Sequence, residues 1–258
     1  GTVFWAGLPI KVTALEPWNI EFDTNYGYVE QMGSFNVMRR NNPNDVVHGS
    51  TKREGWLAKA LVEYKLDWGV PGIFGWYASG DDGNVKNGSE RLPSLHANGN
   101  NDFSNFAFNG NPYIAREGTL SSTMAGTWGI GARLKDMSFI ENLKHTLRLN
   151  VIGGTNSTTM TRYLAPHNAA YNTITTQGPN SGVAGANPLY MTTNDTALEI
   201  GLSNEYKMYD NFTVALDASY ISLWLDKSRS VWGNSRMNGR SDQERDPWNV
   251  DLRFVYSF

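Results

Sequence analysis

Taken in steps of two, the last eleven residues, WNVDLRFVYSF, put Trp248, Val250, Leu252, Phe254, Tyr256 and Phe258 on one side. Asn249, Asp251, Arg253, Val255 and Ser257 fall on the other. The first side is apolar and largely aromatic, and the second is polar apart from Val255. A two-residue period marks a strand whose two faces meet different surroundings. The alternation recurs and predicts nine strands, over 2–15, 18–30, 55–67, 72–80, 124–135, 144–153, 196–208, 212–226 and 248–258.

The faces separate cleanly in most of them. In 18–30, Ile20, Phe22, Thr24, Tyr26 and Tyr28 oppose Asn19, Glu21, Asp23 and Asn25. In 55–67, Trp56, Ala58, Ala60, Val62, Tyr64 and Leu66 oppose Leu57, Lys59, Leu61, Glu63 and Lys65. Trp128, Ile130, Ala132 and Leu134 oppose Gly129, Gly131, Arg133 and Lys135. Leu147, Leu149 and Val151 oppose Thr146, Arg148 and Asn150. Leu198, Ile200, Leu202, Tyr206 and Met208 oppose Glu199, Gly201, Ser203, Glu205 and Lys207. Segment 72–80 carries Phe74 and Trp76.

The connections alternate in length. LEPWN, DWGVPG, DMSFIENLK and YDN are short, whereas 31–54, 81–122, 154–195 and 227–246 are long and rich in Asn, Gly, Ser and Asp, as loops are. This rhythm predicts hairpins with tight turns at one end and long loops at the other, the layout of outer-membrane barrels. Aromatics gather at the short turns: Trp18, Trp68, Phe139, Tyr209, Phe212, Tyr256 and Phe258. Such rings anchor a barrel at the headgroup level, or cap the core of a soluble sandwich. The charged face fits a water-filled lumen and an outside surface equally. Strand length and loop rhythm favour the barrel.

Composition narrows the choice. The net charge of −3 and pI near 5.8 provide no basic field for nucleic acid. The absence of Cys removes disulfide frameworks and thiol–zinc sites. Aromatics reach 12% while the mean hydropathy is −0.45. No apolar run approaches the roughly 18 residues of a membrane helix, but barrel strands need only about 9–11 residues each. The sequence opens at Gly1 in the apolar stretch GTVFWAGLPIKV, with no initiator Met. The expectation is that a leader was removed or that an N-terminal part is missing.

In a barrel the polar face lines the pore. The candidates are Lys59, Glu63, Lys65, Arg133, Lys135, Arg148, Glu199, Glu205, Asp217, Asp251 and Arg253, with Lys11, Glu21, Asp23 and Lys207 beside them. Opposed charges across a pore orient dipolar solutes and set ion preference. Equally, charges on adjacent strands pair within the wall. The segment 81–122 is a candidate constriction loop, with Asp81, Asp82, Glu90, Arg91, Arg116 and Glu117 as filter candidates, or else a solvated surface loop. Its DDGNVKNGSE stretch is oxygen-rich but lacks the regular spacing of a calcium loop, so calcium in 81–90 is a weak candidate.

Catalytic patterns are sparse. His48, His96, His145 and His167 are isolated, and three of them fall in predicted loops. No strained Ser elbow or zinc helix motif occurs. GIGAR has no strand–helix unit around it and is no dinucleotide site. NGS, NST, NDT and NFT match the glycosylation pattern, but short matches of this kind arise by chance.

Several blocks carry a resemblance. GWLAKALVEYKLDWGVPGIFGWYASGDDG with NGSERLP, then GTWGIGARLKDMSFIENLKHTLRLNVIGGTN, EYKMYDNFTVALDASYISLWLD and the terminal FVYSF resemble the outer-membrane homotrimeric porins of sulfate-reducing bacteria. The likeness covers most of the chain and rests on strand–turn–strand blocks. It implies a sixteen-stranded transmembrane antiparallel β-barrel, a homotrimer in the lipid bilayer of a Gram-negative outer membrane, and passive diffusion of small hydrophilic solutes without a cofactor. The terminal Phe258 resembles the C-terminal signature of such proteins.

Those porins are longer than this chain, and nine strands is an odd number where bacterial barrels have an even one. The expected fold is therefore all-β, one barrel domain over 1–258 that supplies about nine strands of a sixteen-stranded porin. A complete ten-stranded barrel is the other option, and so small a barrel fills with side chains. Ala58 and Ala60 are small enough for trimer contacts. The competing functions are a soluble, aromatic-rich carbohydrate-binding β protein and an outer-membrane hydrolase.

Overall fold

The computed structural model describes residues 1–39, 42–93, 103, 124–162, 191–228, 230–231, 246 and 248–258. The chain is all-β. Nine long strands form one antiparallel sheet: β1 (Val3–Val12), β2 (Trp18–Val29), β5 (Arg53–Tyr64), β6 (Val70–Ala78), β7 (Thr127–Ile140), β8 (Leu143–Gly154), β9 (Thr196–Tyr209), β10 (Phe212–Trp224) and β11 (Trp248–Tyr256). They are ordered along the sheet as along the chain, so each pairs with its sequence neighbours. The edges are β1 and β11. Among the described residues no helix is long and apolar enough to cross a membrane.

Alternation located all nine strands, but three details differ. The segment 31–54, read as a loop, contains a hairpin of its own, β3 (Ser34–Arg39) with β4 (Asn42–Ser50), forming a separate two-stranded sheet. The first strand ends at Val12 rather than at residue 15. The connection DMSFIENLK is mostly strand: β7 runs on to Ile140, with register shifts between Leu134 and Met137 and again between Met137 and Ile140. Asp136 and Asn142 take φ values of 55° and 64°. Asp and Asn tolerate that left-handed region better than most residues, which lets the ladder bulge and then turn in two residues.

Packing is concentrated on the polar face and at the long-loop end. One buried cluster joins Leu61, Phe74, Trp76, Phe103, Met124, Ile152, Met191, Ala197 and Ile221. A second joins Val47 of β4, Val85, Met160 and Val231, with Phe35 and Leu225 against it. The four long segments therefore share one apolar contact beyond the ends of the strands. Polar ties reinforce it. Buried Asn156 accepts from the Asp81 N–H at 3.1 Å and donates to the Met191 carbonyl at 2.6 Å. The Asp195 carboxylate accepts from Thr192 N–H, Thr192 hydroxyl and Asp226 N–H at 2.7–2.8 Å.

Candidate functional site

The sheet exposes its apolar face and covers much of its polar one. Phe254, Leu252 and Ile200 are 65%, 55% and 46% exposed, while Glu199 on the opposite face is fully buried. Exposed apolar residues occur on every long strand, Ile73, Ile130, Leu147, Leu149 and Val250 among them. A continuous exposed apolar face of this extent marks a surface made to contact something other than water.

Two rows of rings border this face. The row at the short turns matches expectation: Trp18 packs edge-on to Tyr64 at 4.8 Å, and Phe212 stacks with Phe254 at 6.3 Å. The second row, at the long-loop end, includes Tyr26, Trp56, Tyr77, Trp128, Tyr220 and Trp248. There Trp56 stacks on Tyr77 at 5.2 Å. The rows lie eight residues apart on four strands: Trp18 and Tyr26, Trp56 and Tyr64, Phe212 and Tyr220, Trp248 and Tyr256. Eight residues of strand span about 27 Å, or about 20 Å of height at the ~40° tilt typical of membrane barrels.

The register gives a tilt independently. Phe22, midway between the rows on β2, leads rung by rung through Ala60, Gly75, Ile130, Val151 and Leu198 to Ser222 on β10. The midpoint on β10 is Leu216, six residues nearer the short turns. That offset is about 20 Å over six ladder spacings of about 29 Å, so the rows cross the strands at about 35° to the ladder direction.

On the polar face, several predicted pore-lining residues meet in one transverse belt. Lys11 pairs with Glu21 at 2.7 Å, and Asn19 bridges Glu21 and Glu63 at 3.2 and 3.0 Å. The Glu63 carboxylate takes Arg133 Nε and Nη2 at 2.8 and 2.7 Å, and both side chains are buried. Arg148, opposite Arg133 in the ladder, donates to Ser203 at 3.0 Å. Arg253 bonds Asp217 and lies 3.1 Å from Asp251. Lys59 pairs with Asp23 at 3.2 Å beside the belt. Glu21, Asp23 and Asp217 thus meet a base on the adjacent strand, Glu63 meets one across β6, and Asp251 meets one along β11 itself, which offsets the cost of covering the charges.

The remaining candidates stand apart. Glu199 is not a wetted wall group; it accepts from buried Asn150 at 3.1 Å. Lys135 lies a rung nearer the turns than Arg133, while Lys65 and Glu205 are exposed at the short-turn end, as is Lys207, which pairs with Asp210 at 2.9 Å.

The segment after β6 is bound to the sheet. Buried Asp81 accepts from the Ser89 hydroxyl at 2.5 Å, and Asp82 from Asn84 N–H and Asn87 Nδ2 at 2.7 and 2.9 Å. Glu90 accepts from Asp82 N–H at 3.1 Å. Burial, joined by the nearby charges of Asp82 and Asp81, pushes its carboxyl above the usual range. Arg91 donates to the Ala125 carbonyl at 3.0 Å. Among the described residues no group of three or more His, Asp or Glu could hold a metal ion. Arg116, Glu117, His96 and His167 lie outside the described residues, and His48 is on β4. His145 is on the apolar face of β8, with Nδ1 2.6 Å from Asn204 Oδ1.

Three features escaped the sequence reading. The rings of Phe74 and Trp76 lie on the polar face, over Gly131 and Gly129 of β7, where any Cβ would collide with them. Phe103 stacks on Phe74 at 4.3 Å. Gly27 and Gly55, directly opposed on β2 and β5, leave room over the sheet, Gly55 for the backbone of residues 90–92 and Gly27 for the Trp5 ring and Pro93. Two Gly at matched rungs of adjacent polar-face positions would have been the sequence signal for that crossing.

Comparison of the chain with protein-family models, with curated proteins and with solved structures finds no match in any of the three.

Proposed function

We propose that the chain is wall of a porin-type β-barrel in the outer membrane of a Gram-negative bacterium, through which small hydrophilic solutes and ions diffuse passively. One observation carries the reading: the exposed face of the sheet is the apolar one, framed by two rows of aromatic rings, while the least exposed ion pairs, Glu63–Arg133 and Asp217–Arg253, lie on the other face. Lipid stabilises the first arrangement and a hydrated lumen the second.

In this reading the sheet curls into a barrel wall. Nine antiparallel strands leave β1 and β11 running the same way, so an odd number of further strands completes an all-antiparallel barrel. The sixteen strands of the resembled porins correspond to seven more, and the assembly is a homotrimer. The belt holds Lys11, Arg133, Arg148 and Arg253 against Glu21, Glu63, Asp217 and Asp251, four charges of each sign. The charges balance on this part of the wall, which favours weak selectivity.

The test is reconstitution into a planar bilayer. Stepwise conductance with a reversal potential near zero under a salt gradient is expected. A protein that stays monodisperse in water without detergent, and gives no conductance steps, overturns the proposal.

A further inference from the structure

Residue 103 belongs to the long segment between β6 and β7, yet its ring is buried against the polar face of the sheet. It stacks on Phe74 at 4.3 Å and 15°, and lies 6.3 Å from Trp76. Its backbone carbonyl accepts from Asn150 Nδ2 at 2.7 Å, and the Arg133 guanidinium stands 5.9 Å over the ring. The seat exists because β7 has Gly129 and Gly131 on this face, so the rings of Phe74 and Trp76 lie flat over it.

A second hold is built into β2 and β5. A Cβ on Gly55 would stand 2.5 Å from the Glu90 carbonyl, and one on Gly27 would stand 2.9 Å from Pro93. Residues 90–92 therefore rest directly on the backbone of Gly55, and Pro93 shares the space over Gly27 with the Trp5 ring. Ser89 forms a parallel bridge to Arg53, and the Ser79 hydroxyl donates to the Glu90 carbonyl at 2.5 Å. Two points of one segment are thus fixed to the same face, one over β2 and β5 and the other over β6 and β8.

We infer that Phe103 is the positioning residue that seats this segment on the polar face, and that it thereby sets the bore of the channel and shields Glu199, Asn150 and Ala197 from water. The bore rests on the porin reading; the shielding does not. The ring covers the upper edge of the charged belt through Arg133, so its removal opens the wall where solute passes the arginines.

The chain has no Cys, so one introduced thiol reports on one place. Ala197→Cys lies in the buried cluster with Phe103. Its reaction with a water-soluble thiol reagent, in detergent, is expected to be slow in the parent and about tenfold faster after Phe103→Ala, the loss of one stacked aromatic pair. Phe103→Leu, which keeps an apolar plug, should restore most of the protection. Gly55→Ala lifts the other end without touching Phe103 and should act in the same direction. In a bilayer, Phe103→Ala should raise single-channel conductance. Unchanged labelling in both Phe103→Ala and Gly55→Ala, with the strand content by circular dichroism intact, overturns the inference. If no variant and no parent conducts while labelling responds as expected, the porin reading fails and the seat stands.

Discussion

Leu216 gives the sharpest test of what the apolar face touches. It lies midway between Phe212 and Tyr220, faces Leu252 across the ladder, and is 39% exposed. As a surface residue in water, its replacement by Arg changes stability by about 0.5 kcal/mol or less. As a midplane residue in lipid, the same change costs about 2–4 kcal/mol, falling to about 0–1 kcal/mol near the interface. Tyr209, at the short turn and outside the band, supplies the interfacial control. Expressed as a folding equilibrium constant, Leu216→Arg should fall by a factor of roughly 30 to 1,000 and Tyr209→Arg by less than about 5. The assay is reversible urea unfolding from phospholipid vesicles, followed by tryptophan fluorescence. Two variants that coincide, both within about 0.5 kcal/mol of the parent, would refute contact of this face with hydrocarbon.

Other consequences are as direct. Arg133→Met leaves the covered Glu63 carboxylate, among the described residues, with Asn19 as its hydrogen-bond donor and no bonded base, and should cost about 3–5 kcal/mol, most of it recovered by adding Glu63→Gln in a double-mutant cycle. Arg148→Ala removes a positive charge from a balanced belt and should shift the reversal potential towards cation preference, read in the same planar bilayer. The raised carboxyl of Glu90 binds its proton more tightly folded than unfolded, so its contribution is full below the ordinary value of 4.5 and is lost as pH rises through the raised one. Urea midpoints of the parent minus Glu90→Gln should therefore decline from pH 4 to pH 8. Asp246, held low by the Tyr220 hydroxyl and the Leu223 N–H, has the opposite sign, and its contribution disappears as pH falls through its lowered value. Urea midpoints of Asp246→Asn taken below that value should match the parent.

The strands were legible because one physical demand, an apolar residue at every second position, acts on nearly all of them. It located Glu63, Arg133, Arg148, Asp217 and Arg253 on one face of the sheet, since each alternates with apolar neighbours that point to the other face. The demand is absent in GIFGWYA, where both faces are apolar. Ile73 and Tyr77 face outward while Phe74 and Trp76 turn inward, and only the glycines of the next strand make room for them. The hairpin at 34–50 was missed for a related reason. Phe35 and Val47 pack on Val85, Met160 and Val231, residues far apart in sequence, so no local period marks it. Ion-pair partners were equally hidden, because register and not alternation decides that Asn19 falls beside Glu63.

The two faces carry different residues, yet they incline together. On the apolar face the aromatic rows shift towards the short turns by six residues between β2 and β10. On the polar face, Lys11 leads along the ladder through Glu21, Leu61, Phe74, Gly131, Asn150 and Glu199 to Ile221 on β10. The belt member on that strand is Asp217, four residues nearer the short turns. The offset is about 13 Å over seven spacings of about 34 Å, an inclination of about 20° in the same sense as the rings. A soluble sandwich has no cause to align ion pairs on one face with rings on the other. Strands that cross a bilayer at a tilt do: the membrane plane fixes the height of the rings and the axis of the channel fixes the height of the charges, so both sets slip along the strands from one to the next.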